Sequence, residues 1–116
     1  DVLLLSIAEQ YYKNGQLAAA KAYLHRVSTT TADDSHRLRS KSLLGQIYLD
    51  ESNYAEAERE YRSMLEIDPN YADAFYGIGV VYESRGELVR ARSEWRKALR
   101  LDVGHQGALT RLAENK

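Results

Sequence analysis

Two consecutive stretches of this 116-residue chain carry one pattern at a fixed interval. LLGQIYLDESNYAEAEREYRSMLEIDPN begins at Leu43 and GIGVVYESRGELVRARSEWRKALRLDVG begins at Gly77. Gly45 maps onto Gly79, Tyr48 onto Tyr82, Ala57 onto Ala91, Tyr61 onto Trp95 and Leu65 onto Leu99, each pair 34 residues apart. A more divergent copy lies upstream, where Ala8, Tyr11, Gly15, Ala20 and Leu24 hold the same places; Ala20 precedes Ala57 by 37 residues. A period near 34 with two apolar helical stripes per unit is the mark of a stacked helical repeat, in which no unit buries its apolar face alone.

Within each copy the apolar residues recur at helical spacing on both sides of a short polar turn. The turns read KNGQ from Lys13, ESN from Glu51 and SRGE from Ser84. Gly15 and Gly86 suit the left-handed backbone that ends a helix. Ser52 stands in that place in the middle copy, so a somewhat different turn is expected there, with Asn53 capping the next helix. Pro69 gives the second copy a clean stop, and Asp102 with Gly104 must end the corresponding helix of the third. The pattern predicts an all-α chain with helices over residues 2–14, 17–28, 36–51, 54–67, 71–84 and 88–101. Residues 28–36 read as the longest loop, with Asp34 or Ser35 capping the helix after it. The repeats divide as 1–34, 38–71 and 72–105, with an insertion at 35–37. Residues 106–116 start a further unit, either a solvating cap or a repeat cut short, and Lys116 holds the tyrosine position.

Small residues at Ala8, Gly45, Gly79, Ala20, Ala57 and Ala91 allow close helix approach, and Tyr11, Tyr48, Tyr82, Tyr61 and Trp95 fill the space between. That alternation is how facing helices interlock, so these aromatics read as core.

Composition narrows the function classes. A formal net charge of −1 gives no basic excess for wholesale binding of nucleic acid or anionic membrane. The absence of cysteine excludes disulfides, thiolate metal sites and cysteine nucleophiles. The apolar run at residues 2–8 is too short to span a bilayer and reads as a buried helix face. A soluble segment without membrane insertion is expected, and cytoplasmic and periplasmic settings both fit. The chain opens on Asp1 rather than methionine and is expected to be a segment of something longer. His25, His36 and His105 are scattered over three units with no pair at metal-ligand spacing. No phosphate loop, nucleophile elbow or paired-carboxylate motif appears. The expectation is therefore no catalytic residues, no metal, no cofactor and no small-molecule substrate.

These residues resemble the tetratricopeptide repeat family. That family favours a bulky residue, Leu, Gly and Tyr in its first helix, then Ala, an aromatic, Ala and a closing Pro. The third copy supplies Phe75, Ile78, Gly79, Tyr82, Gly86, Ala91, Trp95 and Ala98, lacking the proline. The second supplies Leu44, Gly45, Tyr48, Ala57, Tyr61 and Pro69, with Lys41 and Met64 as departures. The first supplies Leu4, Ile7, Ala8, Tyr11, Gly15 and Ala20, with Leu24 and Val27 in place of the aromatic and alanine.

The resemblance implies a right-handed α-α superhelix of antiparallel helix pairs, acting as a non-enzymatic protein-binding scaffold. Its concave groove would be lined by Val2, Leu5, Glu9, Tyr12 and Lys13; by Arg39, Ser42, Gln46, Leu49 and Asp50; and by Asp73, Tyr76, Val80, Glu83 and Ser84. Acids outnumber bases there, so the expected partner is a protein or peptide with apolar side chains and some positive charge. Alternatively, the groove tyrosines pack only on neighbouring helices. Chaperone-binding members clamp a C-terminal carboxylate with Lys and Asn in the first repeat, Asn in the second, and Lys and Arg in the third. The positions taken as corresponding hold Leu5 and Glu9, Leu43, and Asp73 and Gly77, so an acidic chaperone tail is not expected by that mechanism. The last full helix carries Arg90, Arg92, Arg96, Lys97 and Arg100 against Glu94, a basic outer face read as solvated surface rather than a nucleic-acid site. An RNA-binding helical repeat is a further alternative that would need the groove for readout. Val2, Leu3 and Leu5 exceed one buried stripe, which leaves open a homo-oligomer contact through the first helix.

Overall fold

A computed structural model describes residues 2–115. Asp1 and Lys116 lie outside the described residues, and with them the expectation placed on Lys116. The described chain forms seven helices: α1 (Val2–Lys13), α2 (Leu17–Thr30), α3 (Asp34–Asp50), α4 (Tyr54–Ile67), α5 (Ala72–Ser84), α6 (Leu88–Leu101) and α7 (Gln106–Glu114). Each helix packs on the next in sequence, and the first helices of successive pairs also meet, α1 on α3 and α3 on α5. The result is an elongated all-α superhelix of 40 × 26 × 21 Å.

The three intra-pair turns are the same, contrary to the expectation for Ser52. Gly15, Ser52 and Gly86 have φ of 76°, 59° and 80°. The following amides, of Gln16, Asn53 and Glu87, donate back to the carbonyls of Tyr11, Tyr48 and Tyr82 at 2.9, 2.7 and 2.9 Å. This is the six-residue closure of a Schellman end, and Ser52 is held in it by its neighbours. Asn53 occupies the N-cap position, but its side chain makes no capping bond. Its ψ of 76° stops short of the extended backbone from which a side chain reaches the first turn.

The long loop expected at residues 28–36 is instead mostly helix. The extra residues lengthen α2 to Thr30 and start α3 at Asp34, leaving residues 31–33 between them. The cap is Asp33, one residue earlier than expected: its backbone is extended, with ψ 115°, and its carboxylate accepts from the His36 amide. The inter-pair stops need no proline. Asp68 and Asp102 adopt φ of −139° and −143°. Their carboxylates accept from the amides of Asn70 and Gly104 at 3.0 and 3.1 Å, so Pro69 and Val103 serve equally well between them.

The core straddles repeat boundaries. One cluster joins Leu5, Ala8, Ala20 and Leu24 to Leu43, Leu44 and Ile47. A second joins Leu38, Ala57, Tyr61 and Met64 to Ala74, Ile78 and Val81. The third sets Ala91, Trp95 and Ala98 against Ala108 of α7. Gly45 and Gly79 lie against the rings of Tyr61 and Trp95, where an added Cβ would come within 2.6 Å of Tyr61 Cζ and of Trp95 Cδ1. At the first boundary Ser40, fully buried, donates to the Leu24 carbonyl at 2.6 Å and accepts from Ser28 at 3.1 Å. The Trp95 indole N–H is buried without a hydrogen-bond partner among the described residues.

Candidate functional site

Stacking aligns α1, α3 and α5 along one surface, and α7 follows them as the next first helix. A cavity of about 470 Å³ opens there. Ser42, Gln46, Leu49 and Asp50 of α3 form one wall, and Asp73, Tyr76, Gly77, Val80 and Ser84 of α5 another. These residues sit three, four or seven apart, so one face of each helix supplies them. Tyr61 reaches the floor from α4, and His105, Gly107 and Arg111 close the far end.

The other groove positions are placed differently. Glu83 turns toward α7, where its carboxylate accepts from Arg111 and, at 3.0 Å, from Asn115 Nδ2. Arg39 reaches back to Glu9 at 3.4 Å. Tyr12 lies beside Asp50; burial first, and then the Asp50 charge and hydrogen bond, push its phenol above the usual range. Lys13 is exposed at the end of α1. Val2 and Leu3 are 63% and 69% exposed, whereas Leu5 is buried against α2 and α3. Leu43 is buried in the core, and Gly77, buried as well, forms part of the cavity wall without a side chain to offer.

Tyr61, Gly77, His105, Gly107 and Arg111 line the cavity without having been singled out as groove residues. Tyr61 reads as core and largely is core, at 6% exposed. Its ring lies between Gly45 and Gly77, and its hydroxyl sits among Tyr76, Asp50 and Tyr12. Burial, helped by those neighbours, pushes that phenol far above the ordinary tyrosine range. His105 caps α7, its Nδ1 accepting from the Ala108 amide at 3.1 Å while Nε2 lies 2.6 Å from Asp73 Oδ1. With Nδ1 accepting, the proton belongs on Nε2, which donates to Asp73. Its ring packs on Tyr76 with centroids 5.1 Å apart, and Gly107 leaves room for the Tyr76 ring. The sequence signal for His105 is its place just before the last helix, at the position of a cap.

The basic outer face of α6 is largely answered locally. Lys97 pairs with Glu94 at 2.9 Å, Arg90 lies 3.7 Å from Glu87, and Arg92 donates to the Asn115 carbonyl at 3.2 Å. Arg96 and Arg100 are exposed. Among the described residues no group of three or more His, Asp or Glu side chains is placed to hold a metal ion. No described helix is long and apolar enough to cross a membrane.

Comparison with known proteins agrees with the geometry. The family model described as TPR repeat matches residues 45–86. The type IV pilus assembly protein PilF of Pseudomonas aeruginosa is 42% identical over 59 residues, covering 51% of this chain and 23% of that protein. Protein bimA of Emericella nidulans is 32% identical over 69 residues, covering 60% of this chain and 9% of that protein. The chain thus spans less than a quarter of the length of either relative. Among solved structures, YrrB, described as a TPR protein with an unusual peptide-binding site, superposes with a TM-score of 0.81 at 27% identity, over 96% of this chain and 56% of that one. The first TPR of Spaghetti (RPAP3), bound to the HSP90 peptide SRMEEVD, shares the fold with a TM-score of 0.81 at 16% identity, over 97% and 87%. Periodicity, seven stacked helices, the model matched over residues 45–86 and these neighbours agree on a tetratricopeptide-type repeat fold, three helix pairs followed by one further helix.

Proposed function

We propose that this chain is a non-enzymatic scaffold that holds a peptide or protein surface in its concave groove, as one part of a larger assembly. The observation that carries this reading is the cavity between α3, α5 and α7, open on the face where successive first helices align. Tyr12, Gln46, Leu49, Asp50, Asp73, Tyr76 and Val80 are its contact residues, with Glu9, Lys13, Arg39 and Glu83 at the margins. Their helices are fixed by the core before a partner arrives, which lowers the ordering cost of binding. Similarity to YrrB, whose description includes a peptide-binding site, supports the same use of the surface. The test compares partners captured by the parent chain and by a Tyr12→Ala, Tyr76→Ala double variant. Partners lost in the variant support the groove; partners held equally by both would place the site elsewhere.

A further inference from the structure

The charges around the cavity are not evenly matched. Arg111, the cation of its lining, is held by Glu83, and His105 donates its Nε2–H to Asp73. Arg39, beyond the rim, is engaged by Glu9. On the opposite wall Asp50 has no lysine, arginine or histidine in ion-pair reach among the described residues; the group beside it is the Tyr12 phenol.

Below Asp50 lies the Tyr61 hydroxyl. Tyr61 is 6% exposed, its ring is fixed between two glycines, and its hydroxyl makes no hydrogen bond to a described residue. That hydroxyl faces the open cavity, where a group that brings N–H donors can hydrogen-bond it. The rest of the lining combines the Tyr76 ring and the aliphatic side chains of Leu49 and Val80 with the polar Ser42, Gln46 and Ser84.

Three classes of occupant can be weighed against these facts. An anion meets the unpaired Asp50 charge. A purely apolar side chain leaves the Asp50 charge without a cation and the Tyr61 hydroxyl without a donor. A long basic side chain satisfies all of them: its alkyl stem suits Leu49 and Val80, its charge suits Asp50, its N–H groups suit the Tyr61 oxygen, and aromatic faces attract cations. The volume of about 470 Å³ also falls within the range of ligand-holding clefts, roughly 300 to 1,000 Å³.

We propose that this cavity takes a lysine or arginine side chain of the bound partner, with the cationic head between Asp50, Tyr61 and Tyr76. The assignment rests on the groove reading above and names the chemistry of its deepest subsite.

The test is a titration of the isotope-labelled chain with n-butylguanidinium, its neutral analogue n-butylurea, and butyrate, followed by amide shifts in the magnetic resonance spectrum. Butylguanidinium is expected to move the amides of Asp50, Gly77 and Val80 saturably, with affinity about tenfold above that of butylurea. Asp50→Asn, at an exposed position, should remove that preference, and Tyr61→Phe should weaken butylguanidinium about threefold. Equal binding of the urea, preference for butyrate, no movement of these amides, or an unchanged affinity in Asp50→Asn would each overturn the assignment. Captured partners that depend on Tyr12 and Tyr76 but are indifferent to Asp50→Asn would also overturn it while leaving the groove reading in place.

Discussion

Ser52 bears the left-handed backbone of the middle turn, φ 59°, in a position where the flanking repeats use Gly15 and Gly86. A side chain in that conformation costs roughly 1 to 2 kcal/mol, whereas glycine gives back only about 0.5 to 1 through its freer unfolded chain. Ser52→Gly is therefore expected to stabilise the protein by about 0.5 to 1 kcal/mol, seen as a higher urea midpoint with an unchanged slope. A lower midpoint would show that the serine side chain contributes something that its φ does not reveal. The same residue marks a limit of what sequence conveys. Gly15 and Gly86 announce their turns, because glycine is the residue such backbones favour. At Ser52 the announcement is missing, and the turn is imposed by Tyr48, Leu49 and the cores on either side. Asp33 is a related case: Asp34 and Ser35 were the expected caps, and the role fell to the residue before them, whose backbone is extended.

Between elements, two polar ties occupy equivalent places on successive boundaries with their charges exchanged. Lys21 of α2 meets Glu51, just past α3, at 2.7 Å; Glu58 of α4 meets Arg85, just past α5, at 2.8 Å. A first pair stacked on the third would set Lys21 against Arg85, so these ties favour the native order of neighbours as well as holding it. Glu58 also accepts from Arg62 at 2.7 Å, and Arg62 donates to the Tyr82 hydroxyl at 3.0 Å. Burial pushes the Glu58 carboxyl up, but the hydrogen bonds and charges of Arg62 and Arg85 outweigh it, and its pKa lies below the usual value. A depressed carboxyl pKa contributes stability that is present above the unfolded value, about 4.3, and is lost as pH falls through the folded one. Glu58→Gln is thus expected to melt lower than the parent at pH 7, with the gap closing as the pH drops below about 4.3. A gap that stays constant down to pH 2 would mean that the effect is packing rather than charge. Helix limits outside residues 28–36 were legible in the sequence because apolar spacing writes them directly. This tie was not, since 30 or so residues separate partners whose meeting depends on the stack.

At the scale of the whole molecule, each core cluster belongs to a boundary, and so does the cavity. Tyr76 and Val80 were assigned to the groove by the resemblance to the repeat family, and both line the cavity. Tyr61, His105 and Arg111 were not, because they reach the cavity from other elements. Tyr61 gets there only because Gly45 and Gly77 leave its ring room, and His105 and Arg111 arrive with α7. α7 therefore has two tasks: Ala108 closes the cluster around Trp95 and Ala98, and Gly107 backs the Tyr76 ring. In a chain stabilised by nearest-neighbour interfaces, removing the last element weakens its neighbour most and the far end least. Deleting residues 104–116 should cost about 2 to 3 kcal/mol, from the apolar area that Ala108 and Leu112 cover. Amide exchange would quicken most in α5 and α6 and least in α1 and α2, and butylguanidinium affinity would fall as Tyr76 loses its backing. Uniform quickening through all six remaining helices would instead show a single cooperative unit, in which the boundaries carry no local stability of their own.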